Sequence, residues 1–126
     1  MSETGYQKLI KTANEYIPFY TSHLDNLRGF IQIQNEGKAL LTELNPKADL
    51  KIFEVLEELN GVNALITISL LDLLVVCKHM CLVEQYWERA YFIKNGYLIV
   101  HETIMTYSKS KQKPLRKIIE SKYPSF

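Results

Sequence analysis

The chain has 126 residues, which suits one domain with a buried core and is too short for two independent cores. Its 15 basic and 14 acidic residues nearly balance, so no overall positive field indicates a nucleic-acid-binding protein. The start of the chain lacks the basic and apolar regions of a signal peptide, so we expect a cytoplasmic protein outside the membrane. Cys77 and Cys81 form neither a Cys-x-x-Cys pair nor a zinc-binding pattern, and we interpret them as reduced, buried thiols.

The first predicted element is a long helix from Tyr6 to Ile31. Apolar residues recur there every three or four positions without losing phase. Pro18 lies inside the pattern and has no N–H to donate to the carbonyl of Asn14. Because the phase continues across the proline, we expect a kink there instead of a helix end. A polar stretch at residues 35–37 is one candidate end of the helix; the alternative is a further turn or two formed by Ala39, Leu40, Leu41 and Leu44.

The second predicted helix begins at Asn45 and Pro46, an N-cap residue followed by a proline at the first helical position. Asn60 and Gly61 predict its end, since glycine readily adopts the left-handed conformation that follows a helix.

The third predicted helix is the apolar run from Val62 to Leu82. Its length approaches the roughly 20 apolar residues of a membrane span, but Asp72 in its middle argues against insertion into a bilayer. We therefore expect this helix to be buried on most sides, with Leu70 and Leu74 at the centre of the core.

A fourth helix is predicted to about Tyr107, after a break near residues 83–85 that no glycine or proline marks. A basic linker and a short helix from Pro114 are expected to follow. No strand-like alternation appears. The sequence therefore predicts an all-α protein, an up-down bundle of four to five helices with a long kinked N-terminal helix. Residues 1–126 would form this single domain, with residues 109–126 as the basic linker and short helix.

Lys94 and His101 are the residues that most resemble a catalytic pair. They are seven positions apart, so a cation and an imidazole would lie on one face of the same helix. Such a pair suits phosphodiester cleavage, with the imidazole as general base and the cation stabilising the phosphate charge. The alternative is a structural histidine and a solvated lysine.

A helical bundle with a basic residue, then Asn95, then His101 resembles the HEPN superfamily. That superfamily includes ribonucleases of toxin–antitoxin and phage-defence systems as well as inactive relatives that only bind. Its motif has an arginine where this chain has Lys94, and an ammonium lacks the planar fork that a guanidinium offers to phosphate. The resemblance covers most of the chain as a helix pattern, but only Asn95 and His101 as exact residues.

Asp72 is a further candidate, because a buried carboxylate needs a partner or a proton. The resemblance implies a role in orienting His101; the alternative is a structural pair with a lysine, an arginine or a tyrosine. In the basic tail, Lys113, Arg116 and Lys117 are candidate ligands for RNA phosphates. No metal or cofactor is expected, since no ligand pair, glycine-rich phosphate loop or nucleophile elbow occurs.

Two functions of different classes fit these patterns. The first is a small, non-catalytic interaction module that binds a partner protein or itself, as a homodimer, because the chain is rich in apolar residues and tyrosine. The second is a HEPN-like, metal-independent ribonuclease, or an RNA-binding relative, in which the Lys94 and His101 surfaces of two copies meet across a shared cleft.

Overall fold

The structure is a computed structural model that describes residues 4–109, and these form three long helices. Helix α1 spans Gly5–Leu44, α2 spans Lys51–Leu82 and α3 spans Tyr86–Lys109. No strand occurs among the described residues, and the predicted all-α class is confirmed. The predicted number of four to five helices is wrong, since this part of the chain has three. Apart from Lys109, which ends α3, the predicted linker and short helix of residues 109–126 lie outside the described residues.

Helix α1 begins with a capping box. The Thr4 side chain accepts a hydrogen bond from the Gln7 backbone N–H, and the Gln7 side chain accepts one from the Thr4 N–H. The helix continues through Pro18, as expected from the phase, and also through residues 35–37, where an end was predicted. The end at residues 35–37 is therefore wrong, and the alternative, a continuation of the helix to Leu44, is confirmed. Gly37 costs only about 1 kcal/mol inside a helix, and the contact between α1 and α2 continues on both sides of it.

Helix α2 joins two of the predicted helices. Asn45 does not start a helix but ends one, since its backbone N–H donates to the Leu41 carbonyl at 2.9 Å. Asn60 and Gly61 lie inside α2, and no described glycine has a positive φ, so the predicted break is wrong. The Asn60 amide instead donates to Gln34 of α1 at 2.6 Å, and its polar side chain thus serves an interhelical contact. The predicted break near residues 83–85 is confirmed.

The three helices lie side by side with α2 in the middle. The hydroxyls of Ser69 on α2 and Thr103 on α3 are hydrogen-bonded at 2.7 Å, and the ring of His79 on α2 stacks on that of Phe92 on α3 with 5.7 Å between ring centres. Residue numbers thus rise along α2 as they fall along α3. Helix α2 therefore runs antiparallel to α3, and it is antiparallel to α1 by the same criterion. Among the described residues, α1 and α3 share no close backbone contact. They meet through the Arg89 guanidinium, which lies 4.5 Å from the centre of the Tyr6 ring.

The core lies mainly between α1 and α2. Its buried members come from one face of each helix, and Leu24 and Val62 pack against their edge: Leu27, Ile31, Ala64, Leu65 and Ile68. Leu70 is 36% exposed and Leu74 is half-buried, so their predicted place at the centre of the core is wrong. The expectation that α2 is buried on most sides is also wrong, because the middle helix of a layer has helical neighbours on two sides only.

Candidate functional site

Three of the four predicted catalytic residues, Lys94, Asn95 and His101, lie on α3, and the fourth, Asp72, lies on α2. Lys94 and His101 are exposed and Asn95 is half-buried. The side of α3 that faces α2 is marked by Thr103, which bonds Ser69, and by Gly96, where an added Cβ would lie 4.0 Å from Val76. Lys94 and His101 project from the other side of the helix. We call this other side the outer surface of α3, and it carries Trp87, Lys94, Leu98, His101 and Met105.

Asp72 does not join these residues, and the expectation of a buried carboxylate is wrong, since Asp72 is exposed. It lines a shallow groove between α2 and α3 together with Leu65, Ile99, Glu102, Thr103 and Thr106. Within the described part of the chain, no hydrogen bond or ion pair joins Asp72 to His101. The structure thus brings Lys94 and His101 onto one surface and places Asp72 on another, where the loss of hydration raises the pKa of its carboxyl.

The raised pKa of Asp72 predicts a dependence of stability on pH. The ordinary pKa is 3.8, and partial burial raises it in the folded state. A carboxyl of this kind favours folding while protonated, and this contribution is lost as the pH rises through the folded-state pKa. We expect Asp72→Asn to raise the urea midpoint near neutral pH and to have no effect at a pH below 3.8.

The matched control is Glu58→Gln, at an exposed position of the same helix, for which we expect no change of the midpoint at either pH. A lower midpoint for Asp72→Asn near neutral pH would show that a cation stabilises the carboxylate, and the stated reason for the raised pKa would be wrong.

A line of apolar side chains lies exposed along α2. Ile52, Val55, Leu59, Ile66 and Leu70 are 59%, 54%, 59%, 51% and 36% exposed. Their spacing of three, four, seven and four residues places them on one face of the helix. Asn63 lies at the centre of this line as its polar member. We call these six residues the α2 stripe.

Side chains of the neighbouring helices extend the stripe. The His23 ring Nε2 lies 3.0 Å from the Asn63 Oδ1, so the α1 positions spaced by seven from His23 run beside the stripe. Leu9, Tyr16 and Phe30 are among these positions, and all three side chains are exposed.

On α3, Glu102 faces the groove, which lies on the opposite side of the layer from the α2 stripe. Ile93 and Val100 lie about half a turn around the helix from Glu102, so they are on the same side of the layer as the stripe. They are also exposed. The apolar face, as we call it, consists of the α2 stripe, this α1 line, and Ile93 and Val100.

This face was missed from the sequence because its spacing is that of a buried helix surface. The apolar signal is real: α2 has an 18-residue window with a mean hydropathy of 1.9 and is long enough to cross a membrane by length and composition. However, only 28% of that window is buried in the structure. Periodicity shows that a helix has an apolar side, but it does not show what covers that side.

The other predicted ligands add little to a site. Lys113, Arg116 and Lys117 lie outside the described residues. Between residues 4 and 109, no three His, Cys, Asp or Glu side chains are placed to hold a metal ion. Cys77 and Cys81 are free thiols; Cys81 is buried, and this burial raises the pKa of its thiol.

No protein family, curated protein or solved structure matches this chain. The HEPN resemblance therefore stays a prediction from the sequence, and the function has to be argued from the surfaces themselves.

Proposed function

We propose that the chain is a small helical interaction module that acts as a homodimer. The observation that supports it best is the exposed apolar face. Phe30 is 61% exposed and Leu59 is 59% exposed, and they lie on the same side of the layer. A half-exposed aromatic side chain offers on the order of 100 Å², whereas the largest apolar patch of a typical soluble monomer is roughly 300–600 Å². The apolar face reaches or exceeds this range.

Association would remove this surface from water, which is the main favourable term in protein assembly. The composition also fits an interface, because the face combines aromatic and aliphatic side chains and places no carboxylate or ammonium in its centre. The carboxylates of Asp72 and Glu102 lie on the other side of the layer, where they line the groove.

The proposal is tested by light scattering on a sizing column over a range of protein concentrations. We expect a mass close to twice 14.7 kDa that falls toward the monomer mass on dilution. A mass of 14.7 kDa at every concentration would overturn the homodimer.

A HEPN-like, metal-independent ribonuclease of a toxin–antitoxin or phage-defence system is the second candidate. It is favoured by one observation: both Lys94 and His101 are exposed on the outer surface of α3, so neither is lost to the core. In a dimer formed through that surface, His101 could take the proton of a ribose hydroxyl while Lys94 stabilises the phosphate.

Incubation with RNA in the presence of a chelator tests this candidate. His101→Ala should abolish cleavage with unchanged helicity, and Lys94→Arg should raise the rate, because it provides a bidentate phosphate contact. If the wild-type protein cuts no RNA and Lys94→Arg brings no gain, the ribonuclease is excluded and the interaction module remains.

A further inference from the structure

We propose that two copies of this chain associate through the α2 stripe, packed antiparallel about a two-fold axis that passes between Val62 and Asn63. The proposal rests on the homodimer of the proposed function and names its interface. The partner of the apolar face is a second copy of this chain.

Four of the six stripe residues are placed symmetrically about this axis. When two copies of a helix pack antiparallel about a two-fold axis, the sum of the numbers of two facing residues is the same for every facing pair. With the axis between Val62 and Asn63, Leu59 faces the partner's Ile66 and Val55 faces the partner's Leu70. The same rule sets Ile52 opposite the partner's Leu73. Each of the five apolar side chains of the stripe then meets an apolar side chain, and Asn63 meets the partner's Val62.

The charges of α2 favour the same partner. Three glutamates lie near the N-terminus of α2, and their helical positions direct them away from the stripe: Glu54, Glu57 and Glu58. A second copy brings an equally charge-free surface, so no charge is left buried without a counter-charge. A protein partner with a charged surface would bury its charges against leucine and isoleucine.

The available area also meets the need of a stable dimer. A standard interface buries roughly 800 Å² per partner. The five apolar stripe residues, the α1 line of Leu9, Tyr16 and Phe30, and the α3 pair of Ile93 and Val100 are all more than a third exposed. At about 50–100 Å² for each such side chain, the apolar face supplies an area of that order.

A bilayer fits this face less well than a second copy. If α2 crossed a membrane, it would have to leave Leu27 and Ile31 of α1, which pack against Ala64, Leu65 and Ile68. It would also have to give up the Ser69–Thr103 and Asn60–Gln34 hydrogen bonds. Binding of the apolar face to a membrane surface, without insertion of α2, is a separate outcome of the test described below.

This arrangement separates the interface from Lys94 and His101. The outer surface of α3 points away from α2, so the two Lys94/His101 pairs do not meet across the proposed axis. A dimer through the α2 stripe therefore does not build the shared cleft of a composite ribonuclease site.

The test compares Leu59→Glu in the stripe with Leu98→Glu on the outer surface of α3. The two leucines are 59% and 49% exposed, so neither change disturbs the core. We expect Leu59→Glu to weaken dimerisation by roughly 100-fold, because each carboxylate would be buried against apolar side chains. Leu98→Glu should leave the dimer unchanged. Sedimentation equilibrium measures both constants, and circular dichroism verifies the helicity of each variant.

A charge pair tests the antiparallel geometry. In the double variant Leu59→Glu, Ile66→Lys, each Glu lies opposite a Lys of the other copy, twice per dimer. We expect this double variant to recover at least about tenfold of the affinity that Leu59→Glu alone loses, and high salt should reduce the recovery. No recovery by the double variant would overturn the proposed axis.

The outcomes separate the two levels of the proposal. A wild-type monomer would refute the homodimer itself. A wild-type dimer that resists Leu59→Glu but is lost in Leu98→Glu would refute the α2 interface and leave the homodimer standing. Flotation of the wild type with vesicles of phosphatidylcholine and phosphatidylglycerol, abolished by Leu59→Glu, would assign the face to a lipid surface and overturn this inference.

Discussion

Leu65→Ala is expected to lower the free energy of unfolding by about 2–5 kcal/mol. Leu65 is 3% exposed and belongs to the core cluster with Leu27 and Ile31 of α1. It also lines the groove toward α3 beside Ile99. Because it packs against α1 and also borders the groove toward α3, its truncation opens a cavity that neither helix can fill by a simple shift. Urea unfolding followed by circular dichroism, at one fixed protein concentration, gives the difference.

The matched control for this prediction is Leu40→Ala on α1, where the same side chain is 57% exposed. We expect it to cost less than about 1 kcal/mol, as surface substitutions do. Equal losses for Leu65→Ala and Leu40→Ala would show that the layer described here, with its core between α1 and α2, is wrong.

The helical class was predictable from the sequence because the apolar period persists over each long segment. The period also predicted that the first helix would cross Pro18, and it located the break near residues 83–85 without any glycine or proline to mark it. In each case the signal extends over many residues, so a single unfavourable residue does not outweigh it.

The wrong boundaries share a physical cause. Asn45, Asn60 and Gly61 are typical of helix ends, but a local preference of about 1 kcal/mol is smaller than the gain from continuing a packed helix. Asn45 caps the end of α1 in place of the start of the next helix. Asn60 bonds Gln34, and Gly61 is buried in the middle of α2. These roles depend on the neighbouring helix and could not be read from local sequence.

The candidate site was predictable only in part, for a related reason. The seven-residue spacing places Lys94 and His101 on one helical face, and both are exposed on α3. The position of Asp72 depends on the register between α2 and α3, which the spacing within one helix does not contain. The exposure of Ile66 and Leu59 depends on how many helices surround α2. Composition alone could not distinguish a core helix from one that is covered by a partner.

Pro18→Ala is expected to stabilise the protein by about 2 kcal/mol. Helix α1 runs without interruption from Gly5 to Leu44, so the proline leaves the Asn14 carbonyl without its helical N–H donor. A proline inside a helix costs about 3 kcal/mol relative to alanine. Alanine restores the donor but frees the unfolded chain, which returns roughly 0.4–1 kcal/mol of the gain.

Thermal and urea unfolding of Pro18→Ala measure the change, with Thr21→Ala at an exposed position of the same helix as the control. Ala13, which is 1% exposed, and Leu27, which is 5% exposed, lie on opposite sides of the proline along the seam with α2. A destabilised Pro18→Ala would therefore mean that the local helix geometry at Pro18 sets the fit of both halves of α1 on α2. In that case the proline stabilises tertiary packing by more than it costs the helix.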